Sequence, residues 1–217
     1  GSDRATVDSG GHLRQLAPVS EHRRSVHRLE IATRPELVDA LATATAAHLA
    51  TELAAELRGG AAPHVRTRRV FLLDLDLAPG EAEQVLAALT DPVAELGAVG
   101  ALPDALGGPS DAAAPWLLTI GFRPGVTDSV ATSVKRAAED CVGRPLAGHV
   151  YTATLYALWG LEAAEVERVA RALHNPLIER AQLERAPRHE GTDVPRAGSG
   201  QLLAVALVPL RAADDDE

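Results

Sequence analysis

LEAAEVERVARALHNPLIERAQL occupies residues 161–183. Its first part sets apolar residues at helical spacing among charged ones, the signature of an amphipathic helix. Pro176 ends that helix, because proline has no N–H to donate and restricts the residue before it. The next run, LIERAQL, reads as a strand. A second stretch has the same grammar. PGEAEQVLAALTDPVAELGAV, residues 79–99, opens with Pro and acids as a helix N-terminus prefers, breaks at Pro92 and ends in a short apolar run.

The segments around these two stretches also correspond. Leu29 and Ile31 alternate with Glu30 in a short strand that Arg34-Pro35 closes; WLLTIGF, residues 116–122, is a strand that Arg123-Pro124 closes. Residues 37–57 are Ala- and Leu-rich with helical spacing and stop at Gly59-Gly60; residues 126–142 form the matching helix. VRTRRVFLLDLDL and HVYTATLYALW are the strands after these helices. His64-Val65-x-Thr67 meets His149-Val150-x-Thr152, and Leu77, Glu81, Val85, Leu89, Pro92 and Glu95 meet Leu161, Glu165, Val169, Leu173, Pro176 and Glu179. The expected fold is α+β, a tandem repeat of two β-α-β-α-β units of ferredoxin-like type. One unit leaves an apolar sheet face bare, so the two are expected to form a pseudo-dimer with their sheets packed together and helices outside.

The expected organisation is a flexible arm over 1–27, a first repeat over 28–100, a Gly/Pro/Ala-rich linker over 101–114 and a second repeat over 115–187. Residues 188–217 add a polar loop, a strand pattern and an acidic tail. Gly1-Ser2 reads as a cloning remnant, and the chain, which has no methionine, as a trimmed or partial product.

Composition narrows the function classes. A formal net charge of −9 argues against general nucleic-acid binding. No apolar run approaches the ~18 residues that span a membrane. A single cysteine, Cys141, leaves no internal disulfide framework and suits the cytoplasm. It is expected to be a small buried apolar residue.

No motif for catalysis or phosphate binding is present: no G-x-S-x-G, no G-x-x-x-x-G-K-[ST] and no G-x-G-x-x-G after a strand. Asp74 and Asp76 sit two apart at a strand end, the spacing of paired carboxylates, but their counterparts in the second half are apolar or Gly. They read as a solvated strand end. His64 and His149 correspond across the halves, with no carboxylate or Cys recurring beside them, and read as structural. Arg66, Arg68 and Arg69 make a basic stripe, suited either to an acidic partner or to a charged sheet edge that resists aggregation. Tyr151, Tyr156 and Trp159 form the one aromatic cluster, suited to a core or an interface. No catalytic, cofactor or metal residue is assigned. The candidate partner interface comprises Arg66, Arg68, Arg123, Asp128, Tyr151 and Trp159.

Arg123-Pro124-Gly125-Val126, the helix and strand after it, and Asn175-Pro176-Leu177-Ile178 resemble the small PurS-type module of phosphoribosylformylglycinamidine synthase. The likeness spans roughly residues 28–187, about the size of one domain. The first half resembles the other copy in longer synthases that fuse two such units, although Glu36 stands where the family has Gly after Arg-Pro. Ser129-Val130-Ala131 likewise replaces the family's Asn-Val-Gly. The resemblance implies a non-catalytic part of a ligase that makes an amidine from formylglycinamide ribonucleotide, ATP and glutamine in purine biosynthesis. It implies that ATP and Mg bind the partner catalytic domain, and that this module bridges the synthase and glutaminase parts and helps ammonia pass between them. Further oligomerisation is compatible with it. The alternative is a stand-alone ferredoxin-like regulatory module that binds a small metabolite at the pseudo-dimer interface. A small enzyme built on His149 lacks the paired base and nucleophile it needs.

Overall fold

The structure is a computed structural model that describes residues 25–57 and 62–187. The expected arm over 1–27, apart from its last three residues, and the C-terminal loop, strand and tail over 188–217 lie outside the described residues. The described chain is an α+β fold with one six-stranded antiparallel sheet and four helices. The elements run β1 (His27–Thr33), α1 (Ala40–Glu52), β2 (His64–Leu75), α2 (Glu81–Leu89), β3 (Glu95–Val99), β4 (Trp116–Phe122), α3 (Ser129–Val142), β5 (Gly148–Trp159), α4 (Ala163–Leu173) and β6 (Glu179–Arg185). Helix α1 starts at Ala40 rather than at 37, because the Asp39 carboxylate accepts the Ala42 N–H and caps the helix there, and it gives way to turns after Glu52 rather than at 57.

The sheet order is β3-β1-β2-β5-β4-β6. This corrects the expectation of two sheets packed together. The halves join edge to edge, β2 pairing with β5 along its whole twelve-residue length, from His64 opposite Trp159 to Leu75 opposite Gly148. Joining the edges gives the backbone N–H and C=O groups of both strands partners that a face-to-face stack would leave to water.

Strand alternation then decides what covers each face. Val65, Phe71, Leu73 and Leu75 of β2 share one face with Val150 and Leu158 of β5. Two apolar clusters form there. One joins Leu49 of α1 to Val166, Val169 and Ala170 of α4 over Val65, Leu118, Ile120 and Leu158. The other joins Val85 of α2 to Ala131, Val134 and Ala138 of α3 over Leu29, Ile31, Phe71 and Leu73. All four helices therefore lie on one face, and each cluster draws helices from both halves. An ion pair between Arg168 and Glu56, 3.4 Å, ties α4 to the turn after α1.

The opposite face carries Val70, Leu117, Leu155, Ala157 and Trp159. The segment 101–114 was expected to be a linker; it folds over this face. Leu102 is buried, and Gly108 sits so close to the Trp159 indole that any side chain at 108 would overlap the ring. Under this segment Glu30, fully buried, accepts from Arg28 at 2.8 Å, from Arg68 at 3.2 Å and from the Leu102 N–H at 2.9 Å. Arg68 donates on to the carbonyls of Leu102, Pro103 and Asp104 at 2.9, 2.6 and 2.9 Å.

Candidate cationic cleft

Each half closes its first helix onto its second strand in the same way. The α1 cap Asp39 accepts from the Ala42 N–H at 2.9 Å and from the Thr67 hydroxyl. The α3 cap Asp128 accepts from the Ala131 N–H at 2.8 Å and from the Thr152 hydroxyl at 2.6 Å. The Arg-Pro turns match as well. Arg34 N–H donates to the Ala94 carbonyl and Arg123 N–H to the Ile178 carbonyl. Behind each proline turn the same lock recurs, with Glu95 accepting from the Asp91 N–H and Glu179 from the Asn175 N–H.

One difference between the halves lies beside the Arg-Pro turn. In the first half Arg66 extends along the turn and donates to the carbonyls of Thr33 at 2.8 Å, Arg34 at 3.1 Å and Leu37 at 3.3 Å. The corresponding residue of β5 is Tyr151, which cannot bridge three carbonyls. The second half has a cleft of about 510 Å³ beside its Arg-Pro turn, and the first half one of about 450 Å³ lined by Leu37, Asp39, Thr67, Arg69, Asp91 and Glu95 among others. The walls of the second-half cleft include the 123–126 turn, Asp128, Lys135, His149, Tyr151 and Arg180. Burial, and secondarily the nearby Asp74 charge, push the Tyr151 hydroxyl above its usual pKa, so it is a neutral donor at physiological pH.

The expected interface residues separate accordingly. Arg123, Asp128 and Tyr151 come together at this cleft. Arg66 is committed to the first Arg-Pro turn. Arg68 and Trp159 are buried, at 2% and 4% exposure, and cannot meet a partner. Their placement follows from β2 and β5 being internal strands, which also removes the reading of the arginines as a charged sheet edge. Arg69 points to the helix face and pairs with Glu95 at 2.8 Å. The aromatic cluster is dispersed too. Tyr156 faces the helices, while Tyr151 and Trp159 lie eight positions apart on the other face, ~26 Å along the strand.

Asp76 accepts from the Ala147 N–H and pairs with Arg144 at 3.7 Å, which anchors the β2 end to the turn before β5. His64 hydrogen-bonds the Gly107 carbonyl at 3.0 Å and meets the Trp159 ring edge-on; His149 is exposed at the cleft. Among the described residues no group of three or more His, Cys, Asp or Glu side chains is placed to hold a metal. Cys141 is exposed, against expectation, because Val142 takes the inward position at the end of α3. Also among the described residues, no helix is long and apolar enough to cross a membrane.

Sequence reasoning missed Lys135 and Arg180. Lys135 reads as one more charge on an amphipathic helix and Arg180 as one on an edge strand; only the fold brings them to one cleft. Compared with models of known protein families and with curated proteins, the chain shows no match to either.

Proposed function

We propose that this chain is a tandem PurS-like docking module of phosphoribosylformylglycinamidine synthase, non-catalytic by itself, that bridges the synthase and glutaminase parts and aids ammonia transfer. The observation that carries this reading is a pair of matched apolar patches. Val93, 80% exposed, follows Asp91-Pro92; Leu177, 84% exposed, follows Asn175-Pro176, with Ile178 beside it. Leu41 near the start of α1 and Val130 near the start of α3 are exposed in the corresponding places. The two proline turns lead directly into β3 and β6, the two edge strands of the sheet. A bridge needs a contact at each end, and large exposed apolar side chains on rigid turns are what a partner buries. The recurring cap, turn and lock contacts of the two halves support the tandem-repeat part of the reading. The Arg123-Pro124-Gly125-Val126 turn and Asn175-Pro176 are the residues on which the family resemblance rests.

The test is capture of separately purified synthase and glutaminase parts by the chain. Leu177→Asp and Val93→Asp are each expected to weaken capture of one partner by about tenfold or more, the effect of losing one interface anchor. The thermal midpoint should not move, since both side chains lie in water. Retrieval of neither part by the unaltered chain would sink the proposal, as would ammonia-dependent amidine formation by the chain alone. The alternative, a regulatory module that binds a metabolite, is favoured by one feature: the open cleft reaches Leu72 across the β2–β5 seam.

A further inference from the structure

The cleft beside the second Arg-Pro turn holds more positive charge than its surroundings neutralise. Arg123, Lys135 and Arg180 all line it. Lys135 Nζ donates to the Gly148 carbonyl at 2.9 Å and Arg123 Nε to the Glu179 carbonyl at 2.9 Å. Carbonyls orient these cations without cancelling their charge. Among the described residues none of the three makes a salt bridge within 4.0 Å, whereas Arg28, Arg68, Arg69, Arg144 and Arg168 each do. The one carboxylate in the wall, Asp128, is engaged by the Ala131 N–H and the Thr152 hydroxyl. Asp74 stands opposite His149 across the seam, outside the wall.

The first half lacks two of these three cations. By sheet register and helix position, Ala46 corresponds to Lys135 and Leu96 to Arg180, so two of the three cations have neutral counterparts. Arg66, the counterpart of Tyr151, is taken up by the carbonyls of the first Arg-Pro turn. The first-half pocket sets Arg69 against Asp39, Asp91 and Glu95, whereas the second-half cleft sets Arg123, Lys135 and Arg180 against Asp128, in a chain whose net charge is −9. A concave site of one sign concentrates counter-ions of the other.

We infer that this cleft binds the phosphoryl group of a small phosphorylated organic molecule through Arg123, Lys135 and Arg180. Guanidinium and ammonium groups together give a phosphoryl dianion charge-assisted hydrogen bonds from several directions. The Tyr151 hydroxyl is a further neutral donor. A volume of about 510 Å³ is far larger than a phosphate ion, and Phe122, Val126, Leu72 and Val150 in the wall suit an apolar or aromatic remainder. The inference does not depend on the docking role, and it is tested on the chain alone.

Calorimetric titration with phenyl phosphate and with inorganic phosphate, at fixed ionic strength, is the experiment. Saturable one-site binding is expected, with phenyl phosphate the tighter of the two. Lys135→Gln and Arg180→Gln should each weaken it by about tenfold, the loss of one charge-assisted contact. Arg136→Gln, a change on α3 outside the wall, should leave it unchanged. Arg123→Gln, which removes the third cation, should weaken binding by a similar factor while the thermal midpoint stays near that of the parent chain. Absence of saturation would overturn the inference. So would inorganic phosphate binding as tightly as the ester, an Arg136→Gln loss equal to that of Lys135→Gln, or undiminished binding by a folded Arg123→Gln chain.

Discussion

Replacing Arg68 by Ala is expected to cost about 3–5 kcal/mol of folding stability, the range for breaking a buried ion pair by removing one partner. Both members are dry: Glu30 is 0% and Arg68 2% exposed. The pair itself is not the main stabilising term, since taking two charges out of water offsets most of their attraction. The loss comes from the groups left behind. Glu30 keeps Arg28 and the Leu102 N–H but loses a buried cation, and the carbonyls of Leu102, Pro103 and Asp104 lose the guanidinium that holds them. Arg68→Lys is expected to recover only part of the loss, because one ammonium cannot serve three carbonyls and a carboxylate with the geometry of a planar fork. Urea denaturation gives the magnitude. Limited proteolysis gives the location, since the segment 101–114 should become cleavable under native conditions once its clamp is gone. A loss below about 1 kcal/mol with unchanged protection of that segment would show that the cluster contributes no more than a surface pair does.

That cluster also marks where sequence reasoning stops. The order of elements was legible because its punctuation is chemical: Pro92 and Pro176 end α2 and α4, Arg34-Pro35 and Arg123-Pro124 follow β1 and β4, and WLLTIGF is β4 residue for residue. The joining of the halves was not legible. An apolar sheet face and an unpaired sheet edge both call for a partner, and hydrophobic alternation reports only the first. Once β2 and β5 pair, both faces of the centre must be covered. The four helices take one face, and a stretch of Gly, Pro and Ala takes the other. Its Gly, Pro and Ala content made 101–114 look like a spacer, yet Leu102, the close approach of Gly108 to Trp159 and the segment's own carbonyls do the covering. Glu30 held a usable signal. A carboxylate flanked by Leu29 and Ile31 in an internal strand must face something, and Arg68 is its counter-charge on the neighbouring strand. The open cleft had no such signal, because Arg123, Lys135 and Arg180 come from a turn, a helix and an edge strand far apart in sequence.

The second large effect separates two carboxylates that look equivalent. Asp39 and Asp128 both cap a helix and both accept a threonine hydroxyl from the next strand. Asp39, however, is 5% exposed and accepts in addition the backbone N–H of Thr67 at 2.7 Å. Asp128 lies beside the open cleft, and no such contact to the Thr152 N–H accompanies it among the described residues. Loss of a helix cap alone costs about 1 kcal/mol. A buried donor left without an acceptor adds about 1–3 kcal/mol. Asp39→Ala is therefore expected to destabilise by about 2–4 kcal/mol and Asp128→Ala by about 1 kcal/mol, because water in the cleft can replace the carboxylate at Thr152. The asparagine variants sharpen the distinction. Asp39→Asn keeps an oxygen for the Ala42 N–H but turns an NH₂ towards the Thr67 N–H, donor against donor, so it should recover little. Asp128→Asn needs only one oxygen at the cap and should recover most of the loss. Urea midpoints of the four variants at one pH decide the matter. Equal losses at 39 and 128 would mean that the link from Asp39 to Thr67 adds nothing to capping.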